Sequence, residues 1–223
     1  MGSVIKEVIP LALGVALSPL PIAAVIVMLL TPAARTNGPA FLAAWMSSLA
    51  VIGIVIFVLP GLETSRGEPT MLAGVLRGVL GLLLVGVAIR QWRLRPRTGE
   101  SISLPPWMAK IDGFGPTQST GLGIMLTALN PKNLILTAAA AATIDESQLL
   151  PAQQAIGLLI FIALASLTVA IPVLSVLALG RAVDPSLASA KGWLISKNAV
   201  VMAILMLVFG VVLVIGAIGI LFR

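Results

Sequence analysis

Cysteine, histidine and tyrosine are all missing from this 223-residue chain. The lack of cysteine excludes disulfides and thiolate nucleophiles, and with histidine gone too the usual soft-metal ligand sets cannot be assembled. No Ser-His-Asp arrangement can form either. Charge is scarce as well: 10% of residues are Asp, Glu, Lys or Arg, against about one quarter in a soluble domain. Apolar residues fill the gap, at 59% of the chain and a mean hydropathy of +1.12. This is the composition of an integral membrane protein. The net charge of +6 could suggest nucleic acid, but aromatics are only 4% and no basic stripe is interleaved with stacking rings. Basic residues beside apolar runs set membrane topology instead. The composition leads us to expect no cofactor, no nucleic-acid partner and no enzymatic activity.

Six apolar runs lie at approximately 4–30, 38–60, 70–92, 115–143, 152–180 and 193–222. Each exceeds the roughly 20 residues a spanning helix needs. Alternation of period two is absent, and stretches such as VIGIVIFVL at 51–59 are apolar on every face, so a transmembrane barrel is excluded and helices remain. The first run is too long for a secretory leader's apolar core, and Glu7 interrupts what would be its basic start. It reads as a membrane helix.

Assigning loops alternately puts Arg35, Arg90, Arg93, Arg95, Arg97, Lys110, Arg181 and Lys191 on one side and Lys6, Arg66 and Arg223 on the other. By the positive-inside tendency the first side is cytoplasmic, so both termini face outward across the inner (plasma) membrane. The Pro-, Gly- and Ser-rich segment after helix three becomes a cytoplasmic linker. This divides the chain into a first three-helix repeat at 1–93, a linker at 94–114 and a second repeat at 115–223. Three helices per half invert the second half relative to the first. The expected fold is an all-α membrane protein of six transmembrane helices in two inverted repeats, the first helix of each broken by proline.

The internal match is short but well placed. ALSPLPIAA at 16–24 aligns with ALNPKNLIL at 128–136, setting Ser18 against Asn130, Pro19 against Pro131 and Pro21 against Asn133. Proline lacks an amide donor and crowds the carbonyl four residues back, so both helices should break near mid-membrane. Pro10 and Pro172 predict further bends. Broken backbone at that depth is tolerated only inside protein or along a cavity, and paired broken helices in inverted halves mark a transporter's binding site. Gly74 with Gly78, and the alanines of 138–142, supply small faces for close helix packing.

Once the loop-side charges above are set aside, three basic residues remain within the apolar runs: Arg77, Lys132 and Lys197. All carboxylates fall in loops, termini or their edges, so the sequence offers them no ion pair. A basic group at bilayer centre costs about 2.5–3.5 kcal/mol on insertion scales. The plain structural role for Lys132 is to donate to carbonyls freed by Pro131, while Arg77 and Lys197 reach the interfaces. The functional role is a midplane site for a small anion: Lys132, Arg77 and Lys197 give charge, and Ser18, Asn130, Asn133 and Asn198 give hydrogen bonds. Pro19, Pro21 and Pro131 make the helix breaks whose dipole ends add to it.

The segment GFGPTQSTGLGIMLTALNPKNLILTAAAAATI at 113–144, with PPWMAKID before it and GWLISKNAVVMAILMLVFGVVLVIGAIGIL at 192–221 after it, resembles the Sap/GAP glycolipid-addressing proteins of actinobacteria, within the LysE transporter superfamily. Asn-Pro-Lys-Asn-Leu is its most specific element. The resemblance implies six helices in inverted halves and a role in moving envelope lipids across the inner membrane. The superfamily also holds a redox carrier with a similar turn, but Ser18-Pro19-Leu20-Pro21 lacks its cysteine. The leading expectation is a flippase for an anionic-headgroup lipid: a phospholipid, a polyprenyl phosphate or an acidic glycolipid. Membrane lipids are its other partners, with a homodimer left open. An exporter of a small solute such as an amino acid, and a non-transporting member of a lipid-export complex, are the alternatives. No GxxxxGK[ST] loop occurs, which removes ATP as a direct drive.

Overall fold

A computed structural model describes residues 1–58, 71–93, 108–147 and 149–221. Eight α-helices carry them: α1 Gly2–Ala16, α2 Pro19–Leu29, α3 Ala34–Val58, α4 Met71–Arg93, α5 Pro116–Ala128, α6 Pro131–Glu146, α7 Pro151–Leu179 and α8 Asp184–Leu221. No strand occurs among the described residues. The protein is therefore an all-α membrane protein. Two stretches, Ala34–Val58 and Pro151–Trp193, are each long and apolar enough to cross a bilayer, and the bent pair α1–α2 is a third if taken as one span.

Proline starts four of these helices: Pro19, Pro116, Pro131 and Pro151 each stand at the first helical position. Its fixed φ suits that position, and its missing amide is one that no helix start can satisfy internally. Two of the starts are reinforced by a glutamine two residues after the proline. The Gln118 side chain accepts from the Gly115 amide at 3.0 Å, and Gln153 accepts from the Leu150 amide at 3.3 Å. Inside a helix, proline acts differently. α1 runs on through Pro10 and α7 through Pro172, so the breaks come only where proline follows an extended residue.

The chain forms two compact units, Met1–Glu63 with Leu104–Gly192, and Thr64–Ser103 with Trp193–Arg223. Each takes chain from both sides of the 94–114 segment. In the first, α3 packs on α5, α6 and α7, while α1 packs on α6 and α7. Ser119, Gly123 and Thr127, spaced by four, form the buried stripe of α5. A side chain at Gly123 would lie 2.8 Å from the Phe41 carbonyl oxygen, so α5 and α3 touch backbone to side-chain root there. Phe41 stacks on Trp45 at 6.3 Å between ring centroids, and both are buried. The hydroxyls of Ser48, Ser119, Thr127, Thr137 and Thr143 each donate to the carbonyl four residues back, which pairs them in apolar surroundings without a partner from another helix. Ala140 and Ala141 are fully buried.

α3 and α7 run antiparallel in a register set by glycine. A Cβ on Gly38 would meet Val173 at 3.5 Å, and one on Gly53 would meet Leu158 at 2.6 Å. The same register sets Trp45 level with Ser166.

In the second unit, α4 meets the end of α8 through Gly81 and Gly210. A Cβ on Gly81 would sit 2.8 Å from the Gly210 oxygen and 3.0 Å from the Val214 nitrogen, and one on Gly210 would sit 2.9 Å from the Gly81 oxygen. The expected small pair differs in detail: Gly78 faces Ala217, with 3.5 Å between Cβ positions, and what surrounds Gly74 lies outside the described residues. That separation matches a disulfide's Cβ spacing of about 3.5–4.5 Å. Gly78→Cys with Ala217→Cys is expected to cross-link readily, in a chain with no other thiol to confuse the gel shift. Adding Gly81→Val should suppress the cross-link, because backbone rather than a flexible side chain blocks the new methyls.

Candidate functional site

The two proline breaks face each other inside the first unit. α1 ends at Ala16, Ser18 takes an extended backbone (φ −102°, ψ 101°), and α2 restarts at Pro19, with a bend of 55° between them. α5 ends at Ala128, Asn130 is likewise extended (φ −85°, ψ 109°), and α6 restarts at Pro131. The aligned residues thus hold equivalent places, Ser18 and Asn130 at the cap and Pro19 and Pro131 at the first helical position. They differ in one respect. The Asn130 side chain accepts from the Lys132 amide at 3.1 Å, whereas the Ser18 hydroxyl makes no such cap bond.

It points across to the other break instead. Ser18 Oγ donates to Asn133 Oδ1 at 2.9 Å, with Ser18 3% exposed and Asn133 fully buried. Asn133 Nδ2 donates to the Leu126 oxygen at 3.1 Å, taking a carbonyl that α5 can no longer bond internally.

Lys132 serves the opposite break from the one expected. Its Nζ donates to the Gly14 oxygen at 2.7 Å and reaches the Leu17 oxygen at 3.4 Å. These carbonyls stand at the end of α1 and on its C-cap, where the helical donors would have been the amides of Ser18 and Pro21. Proline has none, and the extended Ser18 turns its own away. The third open carbonyl at this end, that of Ala16, accepts from Thr168 Oγ1 of α7 at 2.7 Å. One ammonium and one hydroxyl thus cover three of the four open carbonyls at the end of α1, where the macrodipole is negative and a cation is favoured.

The sequence reading gave Thr168 no role. Its signal was a hydroxyl inside an otherwise apolar helix, but a threonine that bonds back within its own helix looks the same in sequence. Two further polar atoms are buried on α3 and α7, Ser166 facing away from Thr168 on its helix. Trp45 Nε1 and Ser166 Oγ are buried and have no hydrogen-bond partner among the described residues. Ser166 is two residues from Thr168, about 3 Å of helix rise, and level with Trp45. Unpaired donors therefore lie at the height of the first break.

Of the sequence-derived site residues, Ser18, Lys132 and Asn133 are brought together, with Asn130, Pro19, Pro21 and Pro131 forming the frame around them. The side chains of Arg77, Lys197 and Asn198 lie outside the described residues. Their backbones belong to α4 and α8 of the second unit. Among the described residues the one ion pair is Arg181–Asp184, so no carboxylate pairs with Lys132.

A family model described as Sap, sulfolipid-1-addressing protein, matches residues 8–219. The chain belongs to the Sap family. Both breaks, and all of Ser18, Lys132, Asn133 and Thr168, fall within the matched span, and the resemblance carried by Asn-Pro-Lys-Asn-Leu is borne out. No curated protein and no solved structure matches this Sap-family chain.

Proposed function

We propose that this protein is a membrane transporter of the flippase kind, moving a lipid with an anionic headgroup across the plasma membrane. The observation that carries the proposal is the bond from Lys132 Nζ to the Gly14 carbonyl. A cation without a carboxylate partner is held at the meeting point of two broken helices. Backbone carbonyls are weak partners for an ammonium, and a sulfate or phosphate oxygen competes with them by offering a full charge. A carboxylate would have cancelled the site. The family description names a sulfolipid, and a sulfated headgroup is anionic at neutral pH.

In this reading the six apolar runs all span the bilayer as two inverted three-helix halves, with both termini outside and the 94–114 segment cytoplasmic. Ser18, Asn130 and Asn133 complete the polar surface around Lys132. The unpaired Trp45 and Ser166 donors at the same height suit oxygens of a sugar or ester. The headgroup crosses between the halves while its tails stay in lipid, and no chemical bond changes, so the protein is not an enzyme.

Purified protein in proteoliposomes is expected to equilibrate a fluorescent anionic lipid, phosphatidylglycerol, across the bilayer faster than protein-free vesicles, with phosphatidylcholine moved poorly. Movement of labelled amino acids without lipid movement would establish the solute-exporter reading. If lipid moves only after co-purified partners are restored, the chain is instead one member of a larger export complex.

A further inference from the structure

Away from the breaks, two arginines share one turn. α7 ends at Leu179, and Gly180 follows with φ +61°, a backbone state that side chains rarely tolerate. The turn throws Arg181 back across the helix ends. Its Nη2 reaches the Thr31 oxygen beyond α2 at 3.5 Å, and its Nη1 pairs with Asp184 Oδ2 at 3.2 Å. Arg35, in the first turn of α3, brings its Nη2 to 3.5 Å from where a Cβ on Gly180 would stand. Gly180 is thus needed for its φ, while a Cβ there would meet Arg35 only at ordinary contact distance.

The two guanidiniums are not equally engaged. Arg181 is tethered by a carbonyl and a carboxylate, although its side chain is still 60% exposed. Arg35 is exposed and makes no hydrogen bond or ion pair with any described residue. With Asp184 offsetting Arg181, the free charge at this turn is that of Arg35, whose planar fork of donors suits the oxygens of phosphate or sulfate.

Its position identifies the source of that anion. α3 begins and α7 ends here, and these belong to the stretches long and apolar enough to cross a bilayer. At 1.5 Å per residue the 25 residues of α3 rise about 37 Å, somewhat more than the roughly 30 Å hydrocarbon layer, so its first turn stands at headgroup depth. Leu174 and Leu177, three apart on one face of α7, are exposed just inward of the turn and offer an apolar bed for an acyl chain. A free anion would have no use for those leucines.

We infer that Arg35 and Arg181 form a binding site for the anionic headgroup of a membrane lipid at the common end of α3 and α7, separate from the Lys132 centre. The inference rests on the membrane reading and not on transport. Native mass spectrometry of the full chain in detergent, titrated with phosphatidylglycerol and with phosphatidylcholine, tests it. Phosphatidylglycerol is expected to bind more tightly, and Arg35→Gln to weaken it about fivefold, the loss of one basic contact near a membrane surface. Arg35→Lys should keep part of the affinity, and Lys6→Gln, which removes the same charge from α1, should leave it unchanged. Equal binding by wild type and Arg35→Gln overturns the site, as does an equal loss in Lys6→Gln. Full displacement of the lipid by an equimolar amount of inorganic phosphate would also overturn it, by making the site one for free anions. Arg35 has no hydrogen-bond or ion-pair partner among the described residues to lose, so its replacement reads binding without a folding penalty. A chain that binds phosphatidylglycerol here yet moves no lipid in vesicles would leave this site standing and remove the transport reading alone.

Discussion

Lys132→Met is expected to cut headgroup translocation by about tenfold or more, the factor that corresponds to losing a hydrogen bond to a charged group. Methionine keeps the length and the apolar stem of lysine and removes only the ammonium. Gly14 and Leu17 then lose the donor that closes α1, so a fall in thermal midpoint should accompany the loss of transport. Lys132→Arg separates the two effects. A guanidinium can still donate to both carbonyls and should restore most of the midpoint. Because its charge is spread over a larger planar group, it should restore transport only in part. Vesicle assays on both variants, each shown to be folded by its helical circular dichroism, check the expectation. Unchanged lipid movement in Lys132→Met would reduce the lysine to a helix-end device.

Asn133→Leu should be the most destabilising single change at the breaks. It deletes the acceptor of Ser18 and the donor to Leu126 at once, in a place with no exposure. Each buried polar group left unpaired costs about 1–3 kcal/mol, so the Ser18 hydroxyl and the Leu126 carbonyl together give about 2–6 kcal/mol. Asn133→Asp is the informative companion. It keeps the acceptor for Ser18 while losing the donor to Leu126 and placing a carboxylate beside Lys132. Transport of an anionic lipid should then fall even if the fold survives. Ser18→Ala removes a hydroxyl without stranding the Asn133 amide nitrogen, so it should cost less than Asn133→Leu. A double-mutant cycle between the two positions should give a coupling of about 1 kcal/mol. Thermal midpoints measured in one detergent across the set would show this order, and an Asn133→Leu variant as stable as wild type would contradict it.

The helices and their two interruptions were legible in the sequence because proline acts on its own backbone. Pro19 and Pro131 predict a stop in the preceding helix whatever surrounds them, and the breaks fall where expected. Hydropathy likewise set most helix limits closely, since lipid-facing helices need no compensating polar stripe, but α8 begins at Asp184, nine residues before the apolar run expected from 193, because its first turns are polar. Which group satisfies which freed carbonyl was not legible. Lys132 was expected to serve the break beside it, yet it reaches residues more than a hundred positions earlier in the chain. Main-chain oxygens carry no sequence signature, so a side chain's choice among them depends on packing alone. The same holds for Gly81 and Gly210. Small residues four apart on one helix draw notice in sequence, but this contact joins single glycines on two helices. Thr168 escaped for a related reason, as its type and spacing fit lipid contact as well as they fit a cap.

The bond between Ser18 and Asn133 ties two hinges to one pin. Straightening either interrupted helix would break that bond, so movement at one hinge is coupled to the other by about 1 kcal/mol. A thermal fluctuation at one hinge is thereby resisted by the other.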